Sequence, residues 1–299
     1  MQRTLNKKIV FSGIGFHTGY ECHAALYPAA PGTGIVFSSA DFPGTRIPAS
    51  VDFVSDTRNR VVLANGPASV ETVEHLLAAL FLLSIDNCRI EVQGPEVPAL
   101  DGSALAFLAA LEQAVSERQL PSLPGSALFF PVWIDEGERY IIALPSERFC
   151  VSCSIYFDHP DIGYQSLYFS GAVEAFREEI APARTFGFRR DAQELLRLGL
   201  ARGSSGDNTL VFSEDALVGG ALRFEDECVR HKTLDLIGDF ALLGQRLNAH
   251  IISSRAGHSL HVALLKKILW NQSQQIEKRT WSSEEHEEFL LFRHRIGSG

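Results

Sequence analysis

The sequence predicts an α+β fold of two similar domains, each a sheet with helices packed on one face, the helix layers meeting at the domain interface. Three observations predict it. Short segments of alternating apolar residues, bounded by Gly and Pro, recur through both halves, which is the pattern of half-buried strands. Each half also carries apolar segments of helical spacing, at about 70–83 and 103–117 in the first and 224–243 and 259–270 in the second. The halves echo each other in order. Val73-Glu-His75 opens one helix segment and Val229-Arg-His231 lies in another. After each comes a strand, then a glycine loop (Asp101-Gly-Ser103; Ala256-Gly-His258), then an apolar helix.

Strands are expected at 8–12 and 21–27, joined by the turn Gly13-Ile-Gly-Phe-His-Thr-Gly19. A dinucleotide loop would need a helix directly after its glycines, and the segment that follows reads as extended, so a hairpin is expected. Further strands are expected at 35–37, 59–63 and 88–92, then at 128–134, 140–144, 149–157, 166–169 and 249–253. Leu120-Pro-Ser-Leu-Pro-Gly-Ser126 reads as a linker, since Pro and Gly cluster between two patterned segments. The expected domains are therefore 1–124, carrying Glu74 and His75, and 125–275, carrying His231, Asp235 and His258, with a tail at 276–299.

Composition narrows the function. The 299 residues are 45% hydrophobic and 21% charged, a balance suited to a globular protein with a sizeable core. With 36 acidic against 27 basic residues the chain is acidic, which speaks against a nucleic-acid binder. The first residues lack the apolar stretch of a signal peptide. No apolar run nears the roughly 20 residues that span a bilayer. A cytoplasmic protein without stable membrane insertion is expected. Five cysteines, an odd number, agree with reduced thiols. Cys150 and Cys153 form a C-x-x-C on an expected strand, where residues three apart face opposite ways, so no redox or metal role is expected of them.

The strongest chemical signal is His231-Lys-Thr-Leu-Asp235-Leu-Ile-Gly-Asp239. Spacings of i, i+4 and i+8 stack His231, Asp235 and Asp239 on one helix face, where a His and an Asp can grip one metal ion. Spacing alone also fits a solvated helix face with one paired His. The second signal is Glu74-His75 at the start of a very apolar helix. Neighbours on a helix diverge by about 100°, so His75 can face a metal while Glu74 faces water. His75, His231 and Asp235 together make a two-His, one-carboxylate set, and three protein ligands plus water is what a catalytic zinc site requires. Non-haem iron uses a similar set, so Fe2+ is the alternative to Zn2+. A third piece is His258, in the tight loop Ser254-Arg-Ala-Gly-His258, where it can act as general acid with Asp239 orienting it.

Several segments, in order, resemble one family. They are Gln2-Arg-Thr-Leu, Ser12-Gly-Ile-Gly-Phe-His-Thr-Gly19, Thr72-Val-Glu-His-Leu-Leu-Ala-Ala-Leu80, Asp101-Gly-Ser103, Ala183-Arg-Thr-Phe-Gly-Phe188, Leu222-Arg-Phe-Glu-Asp-Glu-Cys-Val-Arg-His-Lys232, Asp235-Leu-Ile-Gly-Asp239 and Gly257-His258. The chain looks like the UDP-3-O-acyl-N-acetylglucosamine deacetylases, the zinc amidases of lipid A biosynthesis in Gram-negative bacteria, over about 2–269. The resemblance implies zinc held by His75, His231 and Asp235, with Glu74 as general base, His258 as general acid and Asp239 beside it. It implies that Thr185 stabilises the oxyanion, that Lys232 contacts substrate phosphate or the reacting region, and that Phe188 and Phe157 pack on the uridine end. The implied partner is a small molecule, an acylated UDP-sugar, met by a monomer.

Such a substrate needs local positive charge and an apolar passage. Arg184, Arg189, Arg190, Arg223, Arg230 and Lys232 lie near the motifs and are expected to form the basic surface. The insert 187–212, with Leu195, Leu196, Leu198, Leu200, Leu210 and Val211, is expected to supply the passage. Arg58-Asn-Arg60 departs from the resemblance, standing where many members are more apolar, and the match fades after about Trp270. The rival readings are a metal amidase for another acylated sugar and a non-catalytic nucleotide-sugar binder. Glu74 and His258 speak against the binder, which needs neither.

Overall fold

The computed structural model describes residues 2–116, 126–128 and 130–280. The first half runs β1 (Ile9–Ile14), β2 (Glu21–Pro28), β3 (Ile35–Ser39), β4 (Ile47–Pro48), β5 (Val54–Asp56), β6 (Val62–Asn65), β7 (Ala68–Glu71), α1 (Glu74–Leu82), β8 (Cys88–Gln93) and α2 (Leu105–Glu112). The second runs β9 (Ser126–Ala127), β10 (Val132–Glu136), β11 (Arg139–Pro145), β12 (Cys150–Phe157), β13 (Gly163–Phe169), α3 (Val173–Ala175), β14 (Phe186–Phe188), α4 (Ala192–Arg197), β15 (Leu210–Phe212), β16 (Leu217–Val218), α5 (Glu227–Phe240), β17 (Leu247–Ser254) and α6 (His258–Thr280).

The echo between the halves is an echo of topology. One sheet has the order β1-β2-β8-β3-β4 and the other β10-β11-β17-β12-β13. In each, an antiparallel hairpin comes first and the last strand of the half pairs antiparallel with its second member. That last strand then runs parallel to the next strand, which pairs antiparallel with the edge. Each last strand is flanked in sequence by two helices, α1 and α2 around β8, α5 and α6 around β17. Alternation gives each sheet one covered face: Cys88, Ile90 and Val92 are buried in β8, and Leu247, Ala249 and Ile251 in β17. The fold is α+β, as expected.

The two helix layers meet through α1 and α5. Every residue of α1 except Phe81 is buried, as a helix that is apolar nearly all round must be. α5 is buried from Thr233 through Phe240. At the crossing stands Gly238. A Cβ built there would overlap the carbonyl oxygen of Glu74 and lie 2.9 Å from its Cα. Only a residue without a side chain lets the two backbones come this close.

Some boundaries differ from the reading of the sequence. Residues 70 and 71 belong to a strand, not to the helix expected at 70–83. β6 and β7 form a hairpin whose two-residue turn is Gly66-Pro67, with Gly66 at φ +56°. The chain then turns at Thr72, whose φ is +57°, and α1 starts at Glu74. The strand expected at 59–63 begins at Val62, and the helix expected at 103–117 is limited to Leu105–Glu112. α6 continues past Trp270 to Thr280. The domain boundary at 124/125 and all of the linker but Ser126 lie outside the described residues, as do 281–299 of the tail. Cys150 and Cys153 are buried and unpaired, as are the other three cysteines.

Alanine is a better helix former than glycine by about 1 kcal/mol, so Gly→Ala in an uncrowded helix stabilises. At position 238 the sign is reversed. Gly238→Ala should destabilise by about 1–3 kcal/mol, the usual cost of overpacking a core. Urea and thermal unfolding measure it, and an unchanged or higher midpoint would contradict the crossing described here.

Candidate functional site

α1 and α5 bring His75, His231 and Asp235 to one point. The Nε2 atoms of both histidines lie 3.5 Å from the same oxygen, Asp235 Oδ1. The rings meet edge to face with centroids 5.0 Å apart. The three ligand atoms lie within 4.8 Å of one another, and all three residues are buried. His231 Nδ1 lies 3.1 Å from the carbonyl oxygen of Ala183. As an N–H donor there, it leaves Nε2 bare and aimed inward, the arrangement that orients a metal-binding imidazole. Lys232 Nζ donates to the other oxygen, Asp235 Oδ2, at 2.7 Å.

The protonation states suit a cation. Burial lowers the His231 pKa to about 4, so the ring is neutral at pH 7. Burial would lift the Asp235 carboxyl, but Lys232, His231 and His75 together hold it well below the usual range. Neutral imidazole and ionised carboxylate are the forms that ligate. Two nitrogens and one oxygen, converging and buried, fit a divalent transition metal with room for a further ligand.

Glu74 is the first residue of α1 and is 4% exposed, with Oε2 accepting from the backbone N–H of Val61 at 3.2 Å. Burial raises its pKa. Its place is fixed from behind. Thr72 sits in the left-handed region, where a β-branched residue is strained, and is held there by two hydrogen bonds. Its N–H donates to Val61 O at 3.0 Å and its hydroxyl to Glu96 Oε2 at 2.8 Å. The fully buried Glu96 also accepts from His17 N, Thr18 N and Thr18 Oγ1. It thereby ties the glycine turn at 13–19 to the entrance of α1, and the turn puts Phe16 and His17 into the cleft wall.

His258 opens α6 and is 7% exposed. Its Nδ1 lies 2.7 Å from Asp239 Oδ2. Burial opposes a charge on this ring, but Asp239, Asp235 and Glu74 outweigh it and raise the pKa to about 9. Thr185 lines the same cleft. Its backbone N–H donates to Gly102 O at 2.8 Å and its carbonyl accepts from Leu210 N at 2.9 Å. The preceding Arg184 is locked by Glu227, whose side chain is fully buried and accepts from Arg184 N, Nε and Nη2.

The cleft has a volume of about 950 Å³ and is walled by both halves. Phe157 and Phe188 line it with ring centroids 5.3 Å apart. Of the insert, Leu195, Leu196, Leu198 and Val211 face the cleft, whereas Leu200 and Leu210 are buried away from it. The six basic residues do not form one surface. Arg184 is held by Glu227, Arg223 by Asp101, Arg230 by Asp226 and Lys232 by Asp235. Arg189 and Arg190 are exposed, with Arg190 over the Phe188 ring. Among the described residues, the lysine and arginines facing the cleft are Lys232, Arg139 and Arg202. Arg58 and Arg60 pair with Asp56 and Glu71, and between them Asn59 lines the cleft at φ +60°. His17, Glu96, Gly238 and His261 are the site residues that reading the sequence missed. A glycine inside a helical pattern was the one visible signal among them.

The chain is similar to known proteins along nearly its whole length. A family model described as LpxC, UDP-3-O-acyl N-acetylglycosamine deacetylase, matches residues 2–270. A protein of Syntrophotalea carbinolica named UDP-3-O-acyl-N-acetylglucosamine deacetylase is 44% identical over 274 residues, covering 90% of this chain and 88% of its own. Proteins of the same name from Nostoc sp. and Leptospira biflexa are 40% and 38% identical, covering 90% of this chain and 98% and 89% of theirs. The match spans every segment that supplies a cleft residue, from Phe16 to Ser259, and the chain therefore belongs to the UDP-3-O-acyl N-acetylglycosamine deacetylase family.

Proposed function

We propose that the chain is a zinc-dependent deacetylase acting as a cytoplasmic monomer. It hydrolyses the acetamide of UDP-3-O-acyl-N-acetylglucosamine to acetate and UDP-3-O-acyl-glucosamine, the committed step of lipid A biosynthesis. One observation carries the reading: a buried His75-His231-Asp235 ligand set opens on a cleft that also holds Glu74 and the His258–Asp239 pair. Family membership implies a metal cofactor, and the two-His, one-carboxylate donors suit Zn2+. The buried, unpaired cysteines suit a reducing compartment. No helix among the described residues is long and apolar enough to cross a membrane.

A divalent ion held by His75, His231 and Asp235 would supply Lewis acidity, polarising the amide carbonyl and easing the ionisation of water. Glu74 takes a proton from the attacking water, a task for which a raised pKa suits it. The Thr185 hydroxyl donates to the developing oxyanion; one such donor contributes about 3 kcal/mol. Because Asp239 occupies Nδ1 of His258, Nε2 is the nitrogen that delivers a proton. It protonates the amide nitrogen as the C–N bond breaks, and acetate and a free amine leave. Phe157 and Phe188 offer ring faces to the uridine, with Lys232 near the reacting end. Leu195, Leu196 and Leu198 offer apolar contact to the acyl chain.

Incubation of the zinc-loaded protein with UDP-3-O-acyl-N-acetylglucosamine should remove one acetyl group, read by mass spectrometry. An unaltered substrate would reject the function. Glu74→Ala should keep its metal yet lose at least about a hundredfold in kcat, the low end for general acid–base catalysis. His231→Ala should lose the metal itself. Elemental analysis separates the two roles, and stoichiometric zinc in His231→Ala would overturn the ligand set.

The pH profile follows from the two shifted groups. Glu74 must be ionised, so activity falls as pH drops through its raised pKa. His258 must be protonated, so activity falls as pH climbs through a pKa of about 9, or lower once a bound cation adds its charge. A bell-shaped kcat/KM profile is expected. Asp239→Asn removes the charge that raises His258 and should move the alkaline limb to lower pH. A limb that stays in place would refute the pairing.

A further inference from the structure

His261 lies one turn beyond His258 on α6 and is 1% exposed. Spacing of i, i+3 sets both imidazoles on one face of the helix. His261 Nδ1 lies 2.7 Å from Asp239 Oδ2, the oxygen that also holds His258 Nδ1 at 2.7 Å. The ring centroids are 6.1 Å apart, at 78° to each other. One carboxylate oxygen thus faces two imidazoles. The other oxygen, Oδ1, and His261 Nε2 are buried with no hydrogen-bond partner among the described residues.

These contacts fix the proton on His261. A ring nitrogen facing a carboxylate oxygen at this distance must donate, so the proton is on Nδ1. A second proton on Nε2 would leave a buried N–H without an acceptor. It would also set a third cation beside His258 and Lys232. Burial, with His258 and Lys232, outweighs the pull of Asp239 and lowers the His261 pKa. His261 is a neutral donor of fixed tautomer. The other charged or titratable groups around the pair are Glu74 from α1, Asp235 from α5 and His17 from the 13–19 turn.

We propose that His261 is a positioning residue for the proton donor: its neutral Nδ1–H pins the Asp239 carboxylate against His258 and draws off part of the charge on the shared oxygen. The inference rests on His258 being the proton donor. Pinning keeps Nε2 of His258 aimed into the cleft. Sharing the oxygen weakens its hold on the His258 proton, which must leave in every turnover. A carboxylate facing His258 alone would bind that proton more tightly and would be free to turn toward its unpartnered oxygen.

His261→Phe keeps the ring volume and removes the donor. It should lower kcat about tenfold, short of the roughly hundredfold or greater loss expected when a general acid is removed, and leave KM nearly unchanged. The alkaline limb of kcat/KM should move up by about half to one pH unit, with the NMR titration of the His258 ring in the metal-free protein moving the same way. His261→Asn places an amide nitrogen where Nδ1 stood and should restore most of the turnover and the position of the limb. Melting temperature and zinc content identify folded variants, and His258→Ala is measured beside them. Full activity in His258→Ala would show that the donor assignment itself is wrong. If His258→Ala is inactive while His261→Phe leaves kcat, limb and ring titration unmoved, the proposal is overturned. It is equally overturned if the Phe and Asn variants fall together in melting temperature and turnover, since the residue is then packing alone.

Discussion

Gly238 lets α5 lie against the first turn of α1, and the cleft takes its geometry from that closeness. The two helices belong to different halves of the chain, and neither carries all three of His75, His231 and Asp235. α5 supplies His231 and Asp235 at i, i+4 on one stripe, with Asp239 a further turn along. α1 supplies Glu74 and His75 from its first turn. The carbonyl that Gly238 touches is that of Glu74 itself, so the crossing point and the chemistry coincide. A misplacement of about 1 Å can cost a catalytic site about a hundredfold. A glycine in mid-helix is the means by which this chain avoids that displacement, and it gives up about 1 kcal/mol of helix propensity to do so.

The other walls are held by buried polar groups with complete partners. Glu96 joins the 13–19 turn to Thr72, and a Cβ at Gly15 would strike the Glu96 side chain. The insert of the second half then reaches back across: Arg202 N donates to His17 O and Gly203 N to Phe16 O, both at 3.0 Å. Glu227 plays the same part for the Thr185 segment, where burial would raise its pKa and Arg184 with the Arg223 N–H holds it low. Losing one partner of such a group leaves a buried charge uncompensated, which costs far more than the bond returns. The cleft is therefore rigid at its floor, while α4 presents exposed Leu196 and, just past its end, exposed Leu198 at the rim.

The parts legible in the sequence were those with a period. His231, Asp235 and Asp239 declared themselves by helical spacing, and the shared order of elements forecast the shared strand order. The parts that were not legible lacked one. Val70 and Glu71 continue the apolar pattern of α1 and so read as helix. What stops the helix is a positive φ at Thr72, a conformation β-branched residues rarely adopt and no local pattern announces. Gly66-Pro67, the turn between β6 and β7, was a readable turn signal that the apolar run after it concealed. The basic residues near the motifs looked like a substrate surface because their acid partners, such as Asp101 for Arg223, are far away in the chain. His261 reads as an ordinary helix residue until Asp239, 22 positions earlier, is seen beside it.

Charge ties these observations together. The floor of the cleft holds three carboxylates, Glu74, Asp235 and Asp239, against two side chains that carry positive charge at neutral pH, Lys232 and His258. His231 and His261 stay neutral, kept so by burial. With Glu74 ionised the cluster is one charge negative in a buried setting, where an uncompensated charge is costly. Burial is the largest cause of the raised Glu74 pKa, and the Asp235 and Asp239 charges add to it while His258 opposes it. A divalent cation held by His75, His231 and Asp235 would reverse the balance to one positive charge, which would favour an ionised Glu74. A site so loaded would be charged in the sense opposite to an oxyanion, which for the proposed hydrolysis is the condition for stabilising the transition state more than the neutral amide.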